Sequence, residues 1–200
     1  MFLKASMKTK VIAAVLSVLL AGSAQAALIT NGNFENGLTG WTTSGNVNSA
    51  TFSGTYFGGG SNALNGTTMA SFNAGDSAAN GTLSQTFATL AGATYAVKFD
   101  FGTNSGSQSI VWGAYDGNVT LASKLITDTN PSGLLDSYTF LFTATSSSTT
   151  LRFSDVASNN TVSQDGLVDN VSVKLPEPAS LTLLGLGLLG LGVSRRRKAA

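Results

Sequence analysis

Aromatic rings close to polar side chains are the residues of this sequence best suited to chemistry. Tyr56 and Phe57 form one such place, and Trp112, Tyr115 and Asp116 another. Ring faces stack on sugars, while carboxylates and amides bond sugar hydroxyls, so both places are candidate glycan sites. Burial is the plainer reading of each ring, and a solvent-exposed coplanar pair would reverse it. Trp41, after Gly40, reads as a core residue. The chain has no histidine, which removes a Ser-His-Asp triad, an imidazole base and most zinc sites. Glycoside hydrolysis needs two carboxylates about 5–9.5 Å apart. The nine acids between Ala27 and Leu175 contain no pair whose spacing singles it out, so no catalysis is expected. An ice-binding surface needs a regular threonine array, and Thr149-Thr150 with scattered others do not make one.

The elements that must position these residues read as strands. Tyr95, Val97, Phe99 and Phe101 alternate on one face of a segment, and Tyr138, Phe140, Phe142 and Ala144 do the same. Leu151 and Phe153, Val171 through Leu175, and Leu83 with Phe87 mark shorter ones. Ile110 to Tyr115 is denser, as in a strand covered on both sides or lying under a loop. Asn31-Gly32, Asn36-Gly37, Asn65-Gly66, Asn80-Gly81, Asp116-Gly117 and Asp165-Gly166 supply turns between the runs. Helical periodicity is missing. The pattern predicts an all-β fold, a two-sheet antiparallel sandwich. Between Ala27 and Leu175 four basic residues face nine acids, a net of −5. Phosphate contact needs a clustered basic face, so nucleic acid is excluded as a partner. Without cysteine, an exported fold rests on its core or on a metal.

Both ends read as targeting segments. Lys8 and Lys10, the apolar run Val11–Ala21 and the small residues of Ala24-Gln25-Ala26 make a signal peptide over 1–26. At the other end Pro176-Glu177-Pro178 precedes an uncharged segment, 179–194, and the cluster Arg195-Arg196-Arg197-Lys198. As a helix those 16 residues span about 24 Å, a little short of a hydrocarbon core of roughly 30 Å. The basic cluster stays cytoplasmic by the positive-inside rule. Tripeptide, Leu/Gly-rich span and terminal arginines, in that order over 176–200, closely resemble the PEP-CTERM sorting signal, which is also labelled an ice-binding protein C-terminal motif. That resemblance implies processing by an exosortase near the tripeptide. It also implies transient anchoring in the inner membrane with the domain outside, then delivery to the cell surface or an exopolysaccharide matrix.

The domain over 27–175 carries a second resemblance. Leu28-Ile29-Thr30-Asn31-Gly32-Asn33-Phe34-Glu35 with Gly40-Trp41, Leu83–Phe87 followed by Gly92–Phe99, and Val168-Asp169-Asn170-Val171-Ser172-Val173 are similar to galactose-binding-like jelly rolls. Many carbohydrate-binding modules belong there, as do plant-cell-wall-type domains of unknown function. The resemblance implies a jelly-roll β-sandwich, flanked here by an N-terminal signal helix and a C-terminal transmembrane helix. It also implies a structural calcium bridging first and last strands, held by Glu35 and Asp169 with oxygens from Asn33 and Gly54. Such a pair of carboxylates would repel unless a cation or proton intervened. The expected protein is a non-enzymatic, exported matrix or surface protein, or alternatively a carbohydrate-binding module with a defined glycan.

Overall fold

The computed structural model describes residues 27–51, 68–75, 78–103, 106–129, 135–159, 162 and 165–176. The expected signal helix, transmembrane span and arginine cluster lie outside the described residues, as do Gly54, Tyr56, Phe57, Glu177 and Pro178. Among the described residues no helix is long and apolar enough to cross a membrane.

Ten strands follow one another: β1 (Thr42–Ser44), β2 (Val47–Thr51), β3 (Thr68–Phe72), β4 (Thr82–Ala88), β5 (Thr94–Thr103), β6 (Gln108–Asp116), β7 (Val119–Asp128), β8 (Asp136–Thr143), β9 (Ser148–Asp155) and β10 (Gly166–Lys174). They form two five-stranded sheets, β1-β4-β9-β6-β7 (sheet A) and β2-β3-β10-β5-β8 (sheet B). Every pairing is antiparallel. The all-β sandwich expected from alternation is what forms.

Period-two patterning explains the layers, because successive side chains of a strand point to opposite faces. In β5 Tyr95, Val97, Phe99 and Phe101 are buried. In β9 Leu151 and Phe153 are buried, while Arg152 between them is exposed. Phe99 sits at the centre, edge-on to Phe153 at 4.9 Å and tilted against Trp112 at 6.5 Å. Burying each such side chain contributes about 1.5–3 kcal/mol. The dense run Ile110–Tyr115 resolves into the same alternation. Ile110, Trp112 and Ala114 face the core, and Val111, Gly113 and Tyr115 face outward.

Residues 27–41 form no strand and are tied to sheet A by one side chain. Gln85 Oε1 accepts from Thr30 N at 2.7 Å, and its Nε2 donates to Thr30 O at 2.9 Å and Gly40 O at 3.0 Å. Trp41 is buried, as expected, against Phe34 and Phe153. Its indole N–H donates to Asn31 O at 3.1 Å. The outer surface of sheet B is partly covered, since Met69, Leu135 and Leu167 make a second small apolar cluster there. The outer surface of sheet A has no comparable cover among the described residues.

Candidate functional site

Sheet A presents β9 at its middle, flanked by β4 and β6. Register places Ser84, Arg152 and Gly113 side by side across these strands. Two residues further along β6, Tyr115 folds back over Gly113. A Cβ built on Gly113 would lie 2.5–2.6 Å from the Tyr115 ring and hydroxyl, so only glycine lets the ring lie there. The Arg152 guanidinium stacks on that ring, 4.1 Å from its centroid. Hydroxyls share the face, with Thr86 and Thr150 bonded to each other at 2.8 Å beside the pair and Ser109 to Thr127 at 2.8 Å four residues before Gly113 along β6. The face thus offers a ring, a cation and a lawn of donors and acceptors.

The platform continues to the open edge. Thr120 on β7 pairs with Tyr115 and lines a groove of about 480 Å³ with Thr94, Val119, Leu141, Thr143 and Thr145. Thr145 Oγ1 donates to Asp116 Oδ2 at 2.5 Å. Hydrogen bonds from Thr145 and then Ser146 hold the Asp116 carboxyl below the usual carboxylate range. Tyr115 thus belongs to the platform, while Asp116, its neighbour in sequence, is bonded to a residue of the groove wall, Thr145.

Trp112 corrects the sequence expectation. It is 2% exposed, stacked on Phe140 at 4.7 Å, and cannot receive a sugar, because its side of β6 faces the core. A nearly coplanar ring pair does occur in Tyr138 and Phe140, 6.4 Å apart with a 6° interplanar angle. These rings are half-buried and stack inward on Phe99 and Trp112; they finish the core at edge strand β8. Arg152 was invisible as a site residue in the sequence, where its only signal was a charge at an outward position of an apolar strand.

The second locus joins the first segment to the last strand. Glu35 is exposed and its Oε1 accepts from Thr68 N at 2.8 Å. Asp169 is 1% exposed and lies opposite Asp100. Its carboxyl is pushed up to about 7, first by burial and then by the charges of Asp100 and Glu35, against a hydrogen bond from Asn170 N. Asn33 is half-buried in the turn before Phe34. Phe34 and Asn170, which flank the two carboxylates, both adopt positive φ (53° and 52°), strain that non-glycine residues hold where the surroundings enforce it. At Asn170 the β10 register shifts against β5, and its Nδ2 donates to Asp100 Oδ2 at 2.8 Å. The donor set is all oxygen, as a hard cation requires. Among the described residues no three of His, Cys, Asp and Glu gather tightly enough to hold a metal by themselves, so carbonyls and water would complete any coordination.

A family model described as a protein of unknown function, DUF642, matches residues 27–174. The chain belongs to the DUF642 family. A second model, the PEP-CTERM protein-sorting motif, matches residues 175–198 of this DUF642 protein. That motif indicates export with processing at the membrane by an exosortase. No curated protein matches the sequence. Among solved structures the DUF642 sandwich is similar to TmCBM61 in complex with beta-1,4-galactotriose, at 18% identity and TM-score 0.55, covering 75% of this chain and 99% of that chain. It is similar to a Stig cyclase from Fischerella sp. TAU at 16% identity and TM-score 0.54, covering 74% and 95%. It is also similar to arabinose-bound MgGH51 α-L-arabinofuranosidase at 16% identity and TM-score 0.52, covering 74% of this chain and 26% of that one. At such identities the shared property is the jelly-roll sandwich.

Proposed function

We propose that this DUF642 protein is a non-catalytic saccharide-binding module. Its sorting tail would hold it at the inner membrane with the sandwich outside, then deliver it to the cell surface or an exopolysaccharide matrix. The observation that carries the reading is the Tyr115 ring lying over Gly113 on the outer face of sheet A, next to Arg152 and a hydroxyl-rich surface. Aromatic faces and paired hydroxyls suit a sugar ring, and the groove beyond Thr120 has room for more than one residue of a chain. TmCBM61, a fold relative, is described with beta-1,4-galactotriose bound, which supports the assignment by analogy. Catalysis is disfavoured because the outward positions of sheet A carry no carboxylate, and glycoside hydrolysis needs two.

Calcium belongs to this proposal as a structural ion. Glu35 and Asp169 would hold it, with Asn33 and backbone carbonyls adding oxygens. Its charge would stabilise the ionised form of a buried carboxyl that otherwise competes with Asp100 and Glu35.

The test is binding of residues 27–175, which contain the whole described core, to a panel of soluble polysaccharides. Wild type should be retarded in affinity gels by at least one of them, and Tyr115→Ala should weaken that binding about tenfold with little change in melting temperature. Retardation by none, or equal retardation of wild type and Tyr115→Ala, would refute the site.

A further inference from the structure

We infer that the saccharide recognised on sheet A is anionic, carrying carboxylate or sulfate groups that Arg152 reads; this rests on the saccharide-binding proposal above. Arg152 is exposed on the central strand of the sheet. Its register neighbours Ser84 and Gly113 are neutral, and so are Thr150 and Ser154 on its own strand. Among the described residues no outward position on the five strands of this sheet holds an acid, and Arg152 is the one formal charge there, since Lys124 of β7 pairs with Trp112 and turns the other way, over the Phe140 ring. Asp116 and Asp155 stand at strand ends and are committed elsewhere. Asp116 accepts from Thr145, and Asp155 Oδ1 accepts from Val156 N and Asn159 Nδ2.

The arginine is also poised. Its Cζ sits over the Tyr115 ring, 4.1 Å from the centroid, an attraction to the ring face that by itself consumes no N–H in a hydrogen bond. Among the described residues no hydrogen bond or ion pair engages its N–H donors. A guanidinium held by a ring loses less freedom when it forms a bidentate pair, and its fork matches two oxygens of a carboxylate or sulfate. A neutral sugar would leave that fork solvated and add nothing for the charge.

Net charge works the other way, since the domain carries −5, but distance limits its effect. Asp100 and Asp169 belong to sheet B, about 10 Å away through the core. Neither carboxylate stands on the face of sheet A, and Asp100 is engaged by Asn170 Nδ2 at 2.8 Å, so Arg152 meets no acid at contact distance on its own face.

The experiment compares one polymer with its charges present and masked. Binding of residues 27–175 is measured by calorimetry to polygalacturonate and to the same polymer fully methyl-esterified, then to dextran sulfate and dextran. Wild type should prefer the charged member of at least one pair by about tenfold or more, the scale of a charge-assisted hydrogen bond. Preference within the first pair assigns carboxylate, and within the second, sulfate. Arg152→Gln should bring the ratio close to one while keeping the wild-type melting temperature. Binding without preference, or a preference that survives Arg152→Gln, overturns the anionic assignment and leaves the saccharide proposal standing. Binding to none of these four or to any other polysaccharide overturns both.

Discussion

Individual residues on β6 illustrate how neighbours in sequence acquire opposite roles. Trp112 is core and Tyr115 is surface because they fall on opposite sides of one strand. Trp112→Ala should cost about 3–5 kcal/mol by chemical denaturation, the scale for removing a buried tryptophan. Gly113→Ala should behave differently. Its new methyl would displace the Tyr115 ring, which can swing into solvent, so the protein should stay folded while saccharide binding falls several-fold; unchanged binding would mean that the flat ring is dispensable. Asp155 allows a pH test. Burial raises its carboxyl above the ordinary range, against hydrogen bonds from Val156, Asn159, Asn73 and Gly81. A raised folded value means that the native state binds more protons than the unfolded chain. Its contribution to stability is therefore lost as pH rises from about 4 through the raised value. Asp155→Asn should remove that part of the slope, measured as melting temperature from pH 4 to 7, and an unaltered slope would contradict it.

Elements depend on a few ties that the strand pattern did not announce. Alternation in β5, β8, β9 and β10 was legible, because a two-residue period with one buried face leaves a direct mark on sequence. The strap of residues 27–41 left no periodic mark, since it packs as an irregular segment held by Gln85. Gln85→Ala would strand Thr30 N, Thr30 O and Gly40 O, three backbone groups now bonded to one side chain. These bonds are part-buried and Thr30 and Gly40 are exposed, so water can take over some of them and the expected loss in denaturant unfolding is about 1–3 kcal/mol, the scale of one unpaired group. A loss below about 1 kcal/mol would show that the strap is held by Trp41 and Phe34 instead. Glycine at position 32 has a related role. A Cβ there would fall 1.9 Å from the Val171 carbonyl, the same place where Val171 N donates to Gly32 O at 2.8 Å.

At the scale of the whole molecule, strap and last strand meet where Glu35 and Asp169 stand, so an ion there would tie chain beginning to chain end. If calcium binds, a concentration about 100 times its Kd should raise stability by about 2.7 kcal/mol. Glu35→Gln should abolish most of the rise in melting temperature, and no shift at millimolar calcium would end the proposal. The sequence by itself determined the all-β class and which strand faces point inward, because burial of apolar side chains imposes a period that one chain can display. It also carried the sorting motif, because a tripeptide, a short apolar span and an arginine cluster are contiguous and need no fold to be recognised. Only the tertiary structure separated Trp112 from Tyr115 as ligand candidates and brought Arg152 onto the Tyr115 ring from a strand 37 residues away in sequence. Only the packing of the sheets left the outer face of sheet A without an apolar cover among the described residues and set Asp169 among the charges of Asp100 and Glu35. Those outcomes depend on register between strands distant in the chain and on which face is covered, neither of which is recorded in the order of residues along any one strand.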